Sequence, residues 1–322
     1  MFVALVTVVF RFSAEASCGS ASCPLNSHRY LGAGVFRLSL SHEYINQDLI
    51  YFGSSRSTVG ALRYDHDEVQ TINDRTIGQF QVGLSDRLAF TVEVPIVGRR
   101  HSHILHDISG DRAESWNLRG LGDIVLSAQY ALLLPHSEFS PYVSVVGGIK
   151  APTGLTHMKN GEGEEAEVTI QPGTGSTDGI AGLYYRQTVA SVPMVSGEFG
   201  SLPVIAGLSY QFNGDGTNGW RFGNTLLAHI GTSYQFSPIA NFTLQVNGRF
   251  QGFADVGATG EPRENTGGTW IFASPGLNLQ LNETFSAFGV LQIPIYQNVH
   301  GIQQSARLNV QFGVSANLGL FD

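Results

Sequence analysis

From residue 34 onward, apolar and polar positions alternate with a period of two. Phe36, Leu38 and Leu40 interleave with Arg37, Ser39 and Ser41, and Phe80, Val82 and Leu84 with Gln79, Gln81 and Gly83. Leu88, Phe90, Val92, Val94 and Ile96 interleave with Ala89, Thr91, Glu93 and Pro95. Near the end, Leu308, Val310, Phe312, Val314, Ala316 and Leu318 interleave with Arg307, Asn309, Gln311, Gly313, Ser315 and Asn317. Successive side chains of a strand point to opposite faces, so this pattern predicts strands with one apolar and one polar face. About twelve are predicted: 34–45, 73–84, 88–97, 121–133, 140–152, 178–188, 202–212, 222–236, 241–252, 269–281, 285–296 and 306–319. Most run about ten to fourteen residues, against about 5–6 for an ordinary strand and about 9–11 for one crossing an outer membrane.

The connections sort by length. Long segments at 46–72, 98–120, 153–177 and 253–268 alternate with short ones at 85–87, 134–139, 237–240 and 282–284. The segment 189–201 is of medium length, 213–221 is rich in Gly and Asn, and 297–305 is the final loop. Outer-membrane barrels have short periplasmic turns, longer external loops and an even strand number. In lipid every backbone polar group must be paired, which excludes an open sheet edge and requires closure. The predicted fold is therefore all-β, an antiparallel transmembrane β-barrel of about 12 strands over residues 34–322 in the outer membrane of a Gram-negative bacterium. Pro95, Pro152 and Pro294 stand at the outer ends of predicted strands, where a residue that cannot donate to the ladder belongs.

Composition fits two-faced strands. Charged residues make up 14% of the chain, against about 25% in a typical soluble domain, and there are 39 glycines in 322 residues. With 18 Lys and Arg against 26 Asp and Glu, the chain is not a basic nucleic-acid binder. Past the first ten residues no apolar run approaches the ~18 needed for a spanning helix. Met1 to Phe10 is apolar and Ala14-Glu15-Ala16 is an A-x-A site, so residues 1–16 read as a cleaved signal peptide. Residues 17–33 then form a periplasmic N-terminal segment. Its Cys18 and Cys23 read as a disulfide in an oxidising compartment, with a metal or redox role as the alternative.

Several motifs are shared with a known family: Gly120-Leu121-Gly122-Asp123-Ile124 opening a strand, Gly148-Ile149-Lys150-Ala151-Pro152-Thr153-Gly154 closing one, Gln171-Pro172-Gly173-Thr174-Gly175-Ser176-Thr177-Asp178, Ser274-Pro275-Gly276-Leu277, and Ile293-Pro294-Ile295-Tyr296-Gln297-Asn298-Val299-His300-Gly301. On these, the chain resembles the outer-membrane family named for the meta-pathway of phenol degradation, from about residue 120 to the C-terminus. The resemblance implies an outer-membrane barrel that moves hydrophobic or aromatic compounds. It supplies no catalytic residues.

Charge on the polar faces should line the lumen, because Arg or Lys facing lipid at the midplane costs ~2–4 kcal/mol. The candidate lining and selectivity residues are Arg37, Glu93, Asp123, Lys150, Arg249 and Arg307. Among the loops, Arg99 to Asp107 stands out. His101, His103, His106 and Asp107 are candidate ligands for a divalent metal in an external loop, since imidazoles suit zinc, copper or nickel. The acidic stretch Glu162 to Glu167 is read as a solvated loop able to attract divalent cations that bridge lipopolysaccharide. There is no GxSxG elbow and no phosphate-binding loop, so no enzyme activity and no cofactor are expected. The expected partners are outer-membrane lipid, lipopolysaccharide and a small-molecule solute, and no nucleic acid. The leading reading is a channel or transporter for small solutes, with hydrophobic or aromatic compounds as the implied class. The alternative is a non-transporting barrel whose His-rich external loop binds metal or a partner.

Overall fold

The computed structural model describes residues 31–61, 66–107, 110–160, 163–257 and 262–319. The leader segment 1–16, both cysteines and Phe321 lie outside the described residues, as do the side chains of His66 and Asp107. The strands are β1 (Val35–Phe52), β2 (Ser55–Ser57), β3 (His66–Gly83), β4 (Leu88–Asp107), β5 (Gly110–Leu121), β6 (Ile124–Leu133) and β7 (Tyr142–Ala151). They continue with β8 (Asp178–Pro193), β9 (Phe199–Phe212), β10 (Thr225–Ser237), β11 (Ala240–Gln251), β12 (Gly268–Gln280), β13 (Phe285–Val299) and β14 (Ile302–Gly319).

Twelve of these close into an antiparallel barrel. Each pairs with the next around the ring, and β1 pairs with β14 from Val35↔Gly319 to Phe52↔Ile302, so the first and last strands seal the seam. β2 folds back on the end of β1. β5 lies off the ring and, among the described residues, pairs only with β4.

Each barrel strand matches one predicted from the alternation, but several are longer. Segment 98–120, expected as a loop, is a hairpin: β4 pairs with β5 from Ile96↔Leu121 to Asp107↔Gly110. β1 and β3 likewise extend into the expected loop 46–72, and β13 and β14 leave only residues 300–301 between them. Irregularities explain why the alternation stops short. The pairing shifts register between Ile45 and Gln47 in β1 and between Glu68 and Gln70 in β3. At a bulge one extra residue reverses the in–out order beyond it. Pro95 sits where β4 changes partner, from β6 (last pair Glu93↔Val125) to β5 (first pair Ile96↔Leu121). Pro294 sits at the β12–β13 register shift. Both stand where ladder pairing is interrupted, as the missing N–H requires.

The apolar set faces outward. Leu40, Phe90, Leu126, Ile230, Leu244 and Phe312 are exposed, whereas Gln245, Asn247 and Gln311, on the alternate positions, are buried. A chain with its apolar side chains outside and its polar ones inside is inverted relative to a water-soluble domain, and lipid is the solvent that fits it. Tyr130, Phe212 and Tyr234 stand on this outer face, where barrels carry interfacial aromatic girdles, but Tyr142 and Tyr184 are buried inside. They lie at the same in-facing parity as Ser144 and meet ring to ring at 6.3 Å.

Replacing the outward Leu244 with arginine should lower the folding free energy into vesicles by about 2–4 kcal/mol in a denaturant titration. A cost below about 0.5 kcal/mol would mean that this face does not contact lipid.

Candidate functional site

On the side of the short turns the lumen is packed with neutral polar side chains. Asn247 donates to Ser274 Oγ at 2.6 Å, Asn278 to Asn241 at 2.9 Å and Asn309 to Gln292 at 3.1 Å. Gln129 donates to Ser144 Oγ at 2.7 Å and to Tyr142 Oη at 3.1 Å. Long side chains such as Gln81, Gln245, Gln292 and Gln311 are buried as well as short ones. Burial of residues that long requires protein, rather than an open water column, at their level. Tyr184 also packs on His229, whose ring lies across Gly207; a Cβ there would stand 2.5 Å from the imidazole.

Above this lies an ionic layer. Arg75 grips Glu43 through Nε at 2.9 Å and Nη2 at 2.7 Å, with both side chains almost fully buried. Lys150 Nζ lies 2.5 Å from Asp178 and 3.5 Å from Asp123, and donates to Thr174 at 2.7 Å. Lys150 and Asp178 are direct register partners on β7 and β8, so strand pairing itself places the charges together. A buried pair is stabilising when further hydrogen bonds satisfy the remaining lone pairs, and the lysine's two carboxylates have them. Asp178 receives them from Gln211 and the Gly214 amide, and Asp123 from the Thr174 and Gly154 amides and the Thr174 hydroxyl.

These Asp123 contacts anchor the ends of the long segment 152–177, which folds inward as a cap. Its two arms cross at Gly154 and Gly173: a Cβ on Gly173 would sit 2.5 Å from the Gly154 backbone, so the crossing needs glycine. Farther along, Ala166 and Ile170 pack on Trp116 and Leu118 of β5, and Val168 packs on Trp220 and Ala254 from the next two loops. The Arg99 guanidinium donates to the Thr169 carbonyl, and Arg112 stands 3.8 Å from Glu164. Within the acidic stretch Glu164 and Glu165 are exposed, whereas Glu167 is half-buried and reaches the wall.

Between the ionic layer and the cap lies a cavity of about 960 Å³. Its wall is mixed. Ile45, Ile77, Val97, Ile180, Trp220 and Phe222 supply apolar surface, while Arg75, Glu93, Arg99, Asp123, Lys150 and Arg249 supply charge. Arg249 lies over Trp270 at 5.3 Å and donates to Gln251 at 2.6 Å; among the described residues no carboxylate pairs with it.

Of the candidate lining residues, Glu93, Asp123, Lys150 and Arg249 therefore meet around one cavity. Arg37 also faces inward, lower down, donating to Asn317 at 2.7 Å and to Gln81 at 3.3 Å. Arg307 does not line the lumen. Its side chain is 66% exposed and pairs with Asp48 at 3.4 Å. The cause is the β1–β14 irregularity: Asn309 pairs with Ile45 but Ala306 pairs with Gln47, so Arg307 and Leu308 together oppose Asn46 and both face out.

The candidate metal ligands also divide. The histidines lie on a strand, not in a loop, and His101 and His103 point inward, where Glu167 joins them. His106 turns instead to Asp67 and Asp111, each at 2.8 Å. Sequence reasoning missed Arg75, Asp178 and Glu167. For Asp178 the signal was there, a carboxylate at the start of a strand whose neighbour ends on Lys150. Glu167 depends on how a 26-residue connection folds back, which no local pattern encodes.

No known family profile matches the chain, and no curated protein matches it. Solved structures do. An outer membrane channel from Pseudomonas putida F1 is similar at a TM-score of 0.61 and 13% identity, over 91% of this chain and 99% of that one. The transport unit of the autotransporter AIDA-I from Escherichia coli is similar at 0.49 and 11%, over 93% and 94%. A FadL homologue from Pseudomonas aeruginosa is similar at 0.41 and 8%, over 88% and 90%. At these identities the first likeness speaks to the fold. With the closed twelve-strand ring and the inverted polarity, it makes the chain an outer-membrane β-barrel.

Removing one partner of a buried pair costs about 3–5 kcal/mol, because the other charge is left uncompensated. Lys150→Met should destabilise the barrel by that order, and Lys150→Met with Asp178→Asn by clearly less. Additive losses in a double-mutant cycle would show that the two charges do not interact.

Proposed function

We propose that this barrel is a channel or transporter for small solutes, and that the luminal cavity is where solute is held. The cavity carries the proposal. It lies within the ring, it is large enough for a small organic molecule, and its wall offers both apolar and cationic surface. The similarity to an outer membrane channel supports the same reading. So does the resemblance of the 120-to-C-terminus motifs to the meta-pathway family.

The chemistry of the wall favours an aromatic or apolar body carrying an anionic head. Ile45, Ile77, Trp220 and Phe222 suit the body. Arg249, held by a neutral amide and a tryptophan face, retains the charge to receive the head. Because the lumen beneath is packed with amide side chains, transfer to the periplasmic side requires those side chains to rearrange. We therefore read the protein as a binding-and-release conduit rather than a wide open pore.

Calorimetric titration of the detergent-purified barrel with a small aromatic carboxylate tests this. A charge-assisted hydrogen bond is worth about 1.5–3 kcal/mol, so Arg249→Ala should weaken binding by about 10- to 100-fold. In planar bilayers the wild type should pass discrete current steps that the same carboxylate blocks. A barrel that folds, binds no aromatic carboxylate and stays silent in the bilayer would refute the reading.

A further inference from the structure

The inward histidines of β4 lie outside this transport reading. Residues two apart on a strand share a face, so His101 and His103 both point into the barrel. His101 Nε2 and His103 Nδ1 stand 3.1 Å apart. Glu167, brought in by the cap, puts Oε1 3.6 Å from the same His103 Nδ1. One ligand atom from each residue falls within 4.8 Å of the others, and both imidazoles are buried.

Three features make this more than a polar cluster. The first is spacing. Two ligand atoms each about 2.0–2.1 Å from one zinc stand about 3.1–3.6 Å apart at angles of about 100–120°. The second is that each imidazole presents one nitrogen to the common point and has its other nitrogen held from behind. His101 Nδ1 faces Thr71 Oγ1 at 2.8 Å and Glu68 at 3.5 Å, and His103 Nε2 faces Glu114 at 3.2 Å. Carboxylate-backed imidazoles are the arrangement that orients metal-binding histidines. The third is the donor set: two nitrogens and one carboxylate oxygen suit a zinc-class divalent ion with one position left for water.

We propose that His101, His103 and Glu167 bind a zinc-class divalent metal ion that latches the cap to the β4 wall. Two of the ligands belong to the barrel and the third to the cap. Metal binding therefore resists outward movement of the segment carrying Glu167, and cap opening releases the ion. This ligand set takes Glu167 in place of His106 and lies inside the barrel rather than in an external loop.

The test uses the folded full-length barrel in detergent, in a Cys18→Ser/Cys23→Ser background so that thiols do not compete for metal. Zinc is titrated against a chromophoric chelator, and trypsin cleavage in the cap, at Lys159, is followed with and without zinc. One equivalent should bind at micromolar affinity or tighter, and His103→Ala should abolish it. Glu167→Gln, a change in the cap that leaves the barrel wall untouched, should weaken binding at least about tenfold. Trypsin takes only a segment that can detach into its active site, and Lys159 lies on an arm paired to residues 164–166 beside Glu167, so zinc at one hundred times its Kd should slow cleavage about a hundredfold in the parent, and Glu167→Gln should remove most of that protection. Retention of the heat-modifiable gel shift shows that each variant is folded. The proposal fails if zinc binds no tighter than about 10 micromolar, or if His103→Ala and Glu167→Gln both leave binding unchanged. It also fails if zinc binds but cleavage of the cap is unaffected. Solute binding and current are not among these readouts, so the latch and the conduit stand or fall separately.

Discussion

The rest of this structure follows from the pairing of backbone groups in a solvent that offers no hydrogen bonds. Every N–H and C=O at membrane depth needs a partner from the chain itself, and the β1–β14 seam supplies the last set. Once the ring is closed, its outer face must be apolar and its inner face becomes the only place for charge. That is why the chain is low in charge overall yet dense in ion pairs at one level of the lumen. Glu43–Arg75 and Lys150–Asp178 are paired through adjacent strands, so the pairing that satisfies the backbone also brings opposite charges into contact.

Closure also explains where chemistry can be placed. The barrel wall offers positions fixed in height and direction, and the connections offer reach but little precision. The cavity and the histidine cluster both combine the two. Lys150, Arg249, His101 and His103 are fixed on strands, while Glu167, Thr169 and Trp220 arrive on connecting segments. Those segments can be precise here because they are themselves packed, with Ala166 and Ile170 against Trp116, and Val168 against Trp220.

The strand framework was legible in the sequence because alternation with a period of two is the direct imprint of two different solvents. It was legible only as far as the alternation was unbroken. Arg307 has the right residue type at the right parity, and it faces out because two β14 residues oppose one of β1. The His101 region looked like a loop because it follows Pro95, where β4 changes partners, although the strand continues to Asp107. His101 and His103, two apart on the strand, point the same way. Sequence spacing offered His106 and Asp107 beside them; His106 turns to Asp67 and Asp111, and the carboxylate beside His103 is Glu167, more than sixty residues away. Local spacing can propose which side chains share a face, but it cannot say which distant segment closes over them.

The anchors of the cap divide its labour by position. At its base, Asp123 accepts both the Gly154 and the Thr174 amides, and the glycine crossing leaves no room for side chains; this fixes where the two arms leave the wall. At its far end the contacts are of another kind: the Ala166–Ile170 apolar patch, the Arg99–Thr169 hydrogen bond and Glu167 beside His103. The base contacts involve backbone amides and buried charge, whose loss exposes unsatisfied groups. The distal contacts are an apolar patch, whose opening costs exposed apolar surface, and single polar contacts whose groups water can satisfy. Opening over the cavity is therefore expected to be a swing of the distal part about a fixed base rather than release of the whole segment. In that geometry a ligand bridging Glu167 to the wall acts beyond the fixed base, where it holds the part of the segment that has to move.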